Sequence, residues 1–132
     1  MSIEKIIEDL LNEEQNVYGI AIVGKNGMLI TQTENWDLNK DLKNINDLIQ
    51  SNPELGQKGM GSIEIQGIKY MIVENIEERK IGTSVTGKGH IIVCPIPAGG
   101  TGGLVCYINP QSGARDCLFT VQTYANKLLK YI

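Results

Sequence analysis

Apolar residues recur at helical spacing from the start of the chain: Ile3, Ile6, Ile7, Leu10 and Leu11 share one side, with Glu4, Lys5, Glu8 and Asp9 opposite. Ser2 supplies the capping hydroxyl. Val17 to Val23 and Met28 to Thr33 then flank Lys25-Asn26-Gly27, where Asn-Gly provides the positive backbone angles of a tight hairpin turn. Leu38, Leu42, Ile45, Leu48 and Ile49 form a second helical stripe, predicted to be capped by Asp37 or Asn39 and ended by Asn52-Pro53.

The segment from Gly59 to Glu74 changes the period from helix to strand. Ile63 and Ile65 alternate with Ser62, Glu64 and Gln66. After Gly67, Ile68, Tyr70 and Ile72 alternate with Lys69, Met71 and Val73. Two antiparallel strands joined through one glycine are predicted, and the second shows a lysine, a thioether and a branched aliphatic away from the core. Lys80 to Thr86, His90 to Pro95 and Leu104 to Asn109 add short β-branched runs bounded by Gly or Pro. A last helix starts at Ser112 or Gly113 and buries Cys117, Val121, Tyr124, Ala125, Leu128 and Ile132. The order predicts an α+β sandwich of five to seven antiparallel strands, with the terminal helices sharing one face.

Composition narrows the function. At 132 residues, 42% apolar and 20% charged, the chain reads as one intracellular domain over 1-132. No apolar run approaches the ~20 residues of a membrane span. Cys94, Cys106 and Cys117 are odd in number and widely spaced, which argues against a disulfide framework or a zinc site and for buried small hydrophobes. Residues 1 to 66 carry 5 bases and 11 acids, and residues 67 to 132 carry 7 and 4. That scattered positive bias does not make a nucleic-acid stripe, but it suits an acidic protein partner.

Candidate chemistry is sparse. His90, the only histidine, has no nucleophile and orienting acid at a recognisable spacing, and reads as an exposed strand residue beside Gly89. Ala98 to Gly103 is glycine-rich but lacks the Gly-Lys-Ser/Thr ending of a phosphate loop, and it joins strands. Gly87-Lys88-Gly89 is a turn carrying a cation. Trp36 reads as packing over a helix end, and Tyr18, Tyr107, Tyr124 and Tyr131 are spread over separate elements. No catalytic centre, cofactor or metal is expected.

Three stretches together, GIAIVGKNGMLITQT at 19 to 33, GSIEIQGIKYMIV at 61 to 73 and the terminal NKLLKYI, resemble the profilin family. The resemblance covers nearly the whole chain and implies a sandwich with a smaller helix on the face away from the terminal helices. It also implies a non-catalytic actin-monomer binder that regulates polymerisation, cytoplasmic, cytoskeleton-associated and monomeric. Carried over by position, the actin-facing residues are Met60, Lys69, Met71, Val73, Gly113, Arg115, Phe119 and Gln122, with Lys88 and His90 as looser additions. The positions matching the family's polyproline groove, Ile3, Ile6, Ile30 and Lys127 with Tyr131 nearby, lack its stack of aromatic rings. Ser84-Val85-Thr86 stands where many profilins carry a basic pair, which argues against a phosphoinositide site. A long loop from Pro95 to Gly103 is a further departure. High Ile, Lys and Asn usage suits a divergent, Asgard archaeal member. The competing family is a dimeric Roadblock or longin-like scaffold for small GTPases, which shares the GIAIV-type first strand.

Overall fold

The computed structural model describes residues 2–51 and 60–132. Helix α1 spans Ile3–Glu13, and Ser2 Oγ accepts the Lys5 N–H at 3.2 Å, as its cap requires. Strands β1 (Val17–Val23) and β2 (Leu29–Gln32) follow, then α2 (Leu42–Ile49), β3 (Ser62–Ile65), β4 (Ile68–Ile76), β5 (Arg79–Ser84), β6 (His90–Ile96), β7 (Gly102–Ile108) and α3 (Ala114–Leu128). The strands form one antiparallel sheet of seven in the order β2-β1-β7-β6-β5-β4-β3. Pairing of β7 with β1 brings the first hairpin beside the last strand and draws the chain's two ends together.

Each face of the sheet carries its own core. Ile20, Ile22, Ile92, Cys94, Leu104 and Cys106 pack under Ile6 and Leu10 of α1 and Cys117, Val121 and Leu128 of α3. Ala21, Val23, Ile91, Val93 and Val105 pack under Ile45, Leu48 and Ile49 of α2. Neighbouring residues such as Ile91 and Ile92 thus enter opposite cores, which is why β1, β6 and β7 read as nearly unbroken apolar runs. The terminal helices share one face, as predicted. Among the described residues, no helix is long and apolar enough to cross a membrane.

Several local expectations are corrected. The β3–β4 turn is not a single glycine but the pair Gln66-Gly67, both left-handed at φ 51° and 78°, because Ile65 pairs directly with Ile68. The second helix begins with a 3-10 turn over Asn39–Asp41, and α2 proper starts at Leu42. Asp37 serves the turn, its Oδ1 accepting the Asn39 N–H at 3.1 Å. The Asn52-Pro53 stop lies outside the described residues, and α2 ends at Ile49. The long loop expected from Pro95 to Gly103 shrinks, since β6 runs to Ile96 and β7 starts at Gly102.

Lys80 was not foreseen as a core residue, yet it is 0% exposed. Its Nζ donates to the Ser51 carbonyl at 2.7 Å and to Asn75 Oδ1 at 2.6 Å, and Asn75 Nδ2 donates to Ser51 Oγ at 3.0 Å. A cation therefore meets the carbonyl end of α2, where the helix dipole favours it, and ties that helix to β4 and β5. Lys80→Ala strands these acceptors and lowers the unfolding free energy by about 2 kcal/mol, measured by urea titration. A loss below about 1 kcal/mol would show that the ammonium does not hold the helix end.

Candidate protein-protein interface

Strand register carries one line of side chains across the sheet. Ser62 lies opposite Met71, Met71 opposite Thr83, Thr83 opposite His90, and His90 opposite Ile108. Residues directly opposite in an antiparallel ladder point to the same face. Ile108 is buried beneath the terminal helices, so the whole row belongs to their face. Beyond the cover of α3 the row surfaces: His90 and Thr83 are half-buried and Met71 is exposed. His90 Nδ1 sits 3.0 Å from Thr83 Oγ1, which orients the ring along the row. Lys69 shares the parity of Met71 and faces water opposite Glu64.

A bulge then changes the parity of β4. Ile72 pairs with Gly82 but Glu74 pairs with Ile81, leaving Val73 as the extra residue, 58% exposed. Glu74 is thereby turned to the face of Ile81, the side on which α3 lies. Its carboxylate accepts from Arg79 Nε at 2.6 Å and from Arg115 Nη2 at 3.3 Å, joining β4, β5 and the first turn of α3. Burial alone would raise its pKa, but the hydrogen bonds and charges of Arg79 and Arg115 outweigh burial and hold the carboxyl below its ordinary range.

Helix α3 completes the surface. Gly113 precedes it, and the Asp116 carboxylate accepts the Gly113 N–H at 3.3 Å. One turn beyond Arg115, Phe119 is 83% exposed, a large aromatic ring with no core to fill. Gln122 follows on the same side and borders a shallow recess with Glu78 and Pro95. Lys88 lies at the tip of the β5–β6 turn, whose Gly87 and Gly89 are left-handed at φ 75° and 116°. A side chain at Gly89 would come within 2.7 Å of the Ile108 carbonyl, so the turn needs glycine there.

The structure thus brings Lys69, Met71, Val73, His90, Arg115, Phe119 and Gln122 to one side, with Gly113 and Lys88 at its margins. Met60 is not with them, because it packs against the core under α2 on the opposite face. Ser62, Thr83 and Glu74 join the surface without having been singled out. Ser62 and Thr83 are found only through register, and the bulge hides Glu74 from any reading based on alternation.

The groove positions scatter. Ile6 is 1% exposed and belongs to the core, while Ile3 and Tyr131 are half-buried against it. Ile30 is exposed on β2, and the Lys127 ammonium lies 4.3 Å from the Tyr124 ring centre. The three cysteines are buried, and burial pushes the Cys94 thiol up to about 12. Among the described residues, no group of three or more His, Cys, Asp or Glu side chains could hold a metal ion.

The chain is 61% identical over 130 residues to Loki profilin-1 of Lokiarchaeum sp. (strain GC14_75), covering 98% of this chain and 97% of that protein. The chain belongs to the profilin family. Profilin from the LokiProfilin2/rabbit actin complex superposes with a TM-score of 0.95 at 60% identity, over 100% of both chains. Schizosaccharomyces pombe profilin reaches 0.77 at 16% identity over 98% of each chain, a likeness of fold alone. A Roadblock/LC7 domain from Streptomyces avermitillis reaches 0.53 at 13% identity, over 96% and 98% of the two chains, so the scaffold alternative keeps only a loose likeness of fold. No protein-family model matches the chain.

Glu74 yields a pH-dependent prediction for this profilin. A carboxylate held low in the folded state contributes fully above its unfolded value, near 4.5, and loses that contribution as pH falls through the depressed folded value. Glu74→Gln is expected to cost about 1 kcal/mol at neutral pH. Urea midpoints should show a constant gap above pH 4.5 that closes in more acidic solution. A gap that stays open in acid would contradict the bridge.

Proposed function

We propose that this profilin binds actin monomers through the open part of its helix-side face and so regulates filament growth without catalysis. The observation that carries the reading is the exposed surface on which the Glu74–Arg115 pair ties α3, with Phe119, to β4, with Lys69 and Met71. It combines an exposed aromatic ring, a thioether, an arginine and a lysine, the residue types that anchor protein interfaces. Its relative in the LokiProfilin2/rabbit actin complex matches this chain over its full length.

Phe119 and Met71 supply apolar area that water leaves on association. Lys69 and Arg115 favour an acidic partner surface and exclude a basic one. Glu74 neutralises part of that charge and fixes where the guanidinium stands relative to β4. Covering one end of an actin monomer blocks addition there while leaving the other end free, so binding shifts populations and performs no reaction. The protein works as a monomer of one domain, in the cytoplasm and on the cytoskeleton. Met60 stands outside this interface.

The terminal-helix groove does not serve a polyproline helix in this account. Ile6 is consumed by the core, and the exposed positions offer a lysine and aliphatic groups where stacked rings are needed. Ser84-Val85-Thr86 offers no cations to a phosphoinositide headgroup.

Titration into polymerising actin tests the function: nucleation and elongation should slow with added protein, and unchanged kinetics at large excess with no complex would reject it. Phe119→Ala should weaken the complex by about thirtyfold with an unchanged unfolding midpoint, since the ring is 83% exposed. Lys69→Glu should weaken it by about tenfold. Unaltered affinity in either variant removes that residue from the interface.

A further inference from the structure

The opposite face holds a second feature that the actin reading does not use. Beyond the cover of α2, Gly19, Trp36, Ile65, Ile68, Tyr70 and Tyr107 line a cavity of about 180 Å³. Gly19 helps to shape it, because a side chain there would lie 3.1 Å from Trp36 Cε3 and force the indole to shift by a few tenths of an ångström. Trp36 tilts against Tyr107 with ring centres 6.1 Å apart, and Tyr107 against Tyr18 at 6.4 Å. Tyr18 is 45% exposed, so an aromatic ledge runs from solvent to the cavity wall.

The rim is held in a costly conformation. Gln66 is the only non-glycine among the described residues with a left-handed backbone, at φ 51°. Two contacts from the segment before α2 keep it there: its N–H donates to Asp41 Oδ2 at 3.0 Å, and its Nε2 donates to the Asp37 carbonyl at 2.9 Å. Gln66 also borders an adjoining recess with Asp37, Asp41 and Lys40. Hydrogen bonds from Asn39 hold the Asp37 carboxyl below its ordinary range, so it is anionic at neutral pH. The loop that carries Trp36 therefore sets two carboxylates against one ammonium beside an apolar hole.

We propose that this cavity is a peptide-docking site that takes one aromatic side chain, with an adjacent lysine or arginine of the same segment seated against Asp37 and Asp41. The size fits the ring: a cavity of about 150 Å³ holds benzene, and the walls offer the tilted and edge-on contacts that aromatic pairs prefer. Charge complementarity selects the flanking cation, since a carboxylate beside the ring would face like charge. The site lies across the sheet from Met71 and Phe119 and does not rest on the actin reading.

Trp36 is the single tryptophan of the chain, so its emission reports on the cavity directly. Acetyl-Gly-Phe-Arg-Arg-Gly-amide is expected to give a saturable change in Trp36 emission below about 1 mM. Replacing Phe by Ala, or both Arg by Glu, should weaken the response by about tenfold or more. Gly19→Ala should weaken it by shifting the indole that forms the cavity wall. Asp37→Asn, which keeps an oxygen for the Asn39 N–H, should weaken the Arg peptide and not the Glu peptide, with the fold checked by circular dichroism. No saturable response, equal responses to the Phe and Ala peptides, or tighter binding of a proline decamer would each overturn the assignment.

Discussion

The apolar stripe of α3 on β6 and β7 is the contact on which the rest of the molecule depends. Cys117, Val121 and Leu128 meet Ile92, Cys94, Leu104 and Cys106 in one cluster, with Ile6 and Leu10 of α1 beside them. Two helices of ~10 Å diameter side by side cover ~20 Å, whereas seven strands spaced ~4.8 Å apart extend ~29 Å. Roughly two strands' width on that face is left without helical cover. With α1 over β1 and α3 over β6 and β7, the uncovered width includes β4 and β3.

That arithmetic assigns different tasks to different strands. β6 and β7 bury both faces over most of their length and chiefly specify the fold, while β4 buries Tyr70 on one face and shows Lys69 and Met71 on the other. The bulge at Val73 links the open strand to α3, since it turns Glu74 towards Arg115. A surface made from two elements needs such a link, because separate motions of strand and helix would blur the geometry a partner reads. On the opposite face Lys80 fulfils a related role by fastening the end of α2.

What was legible in the chain followed periodicity. The Ile3 to Leu11 stripe, the Asn26-Gly27 turn and the alternation of Ile63 to Met71 identified elements and faces because each rests on local geometry. What was missed rests on contacts distant in sequence or on broken periods. Glu74 changes face at a bulge, and Lys80 is buried because Ser51 and Asn75 come to meet it. Gln66 is left-handed because the two-residue β3–β4 turn requires it, and Asp41 and Asp37 hold it there. Positional transfer from the family includes Met60, which lies half-buried against the core under α2 and away from the other proposed contacts, and Ile6, which lies inside the terminal-helix core. Trp36 was read as packing, and it does pack, against Gly19 and Tyr107.

The proposed actin site is the part of the helix-side face that α3 leaves open. Hydrogen exchange of the full chain, with and without saturating actin monomer, tests this most directly. Protection should concentrate in β4, the β5–β6 turn and the first two turns of α3, while α2 and the β1–β2 turn exchange as in the free protein. Protection centred on α2, or on the groove between α1 and β2, would contradict the account.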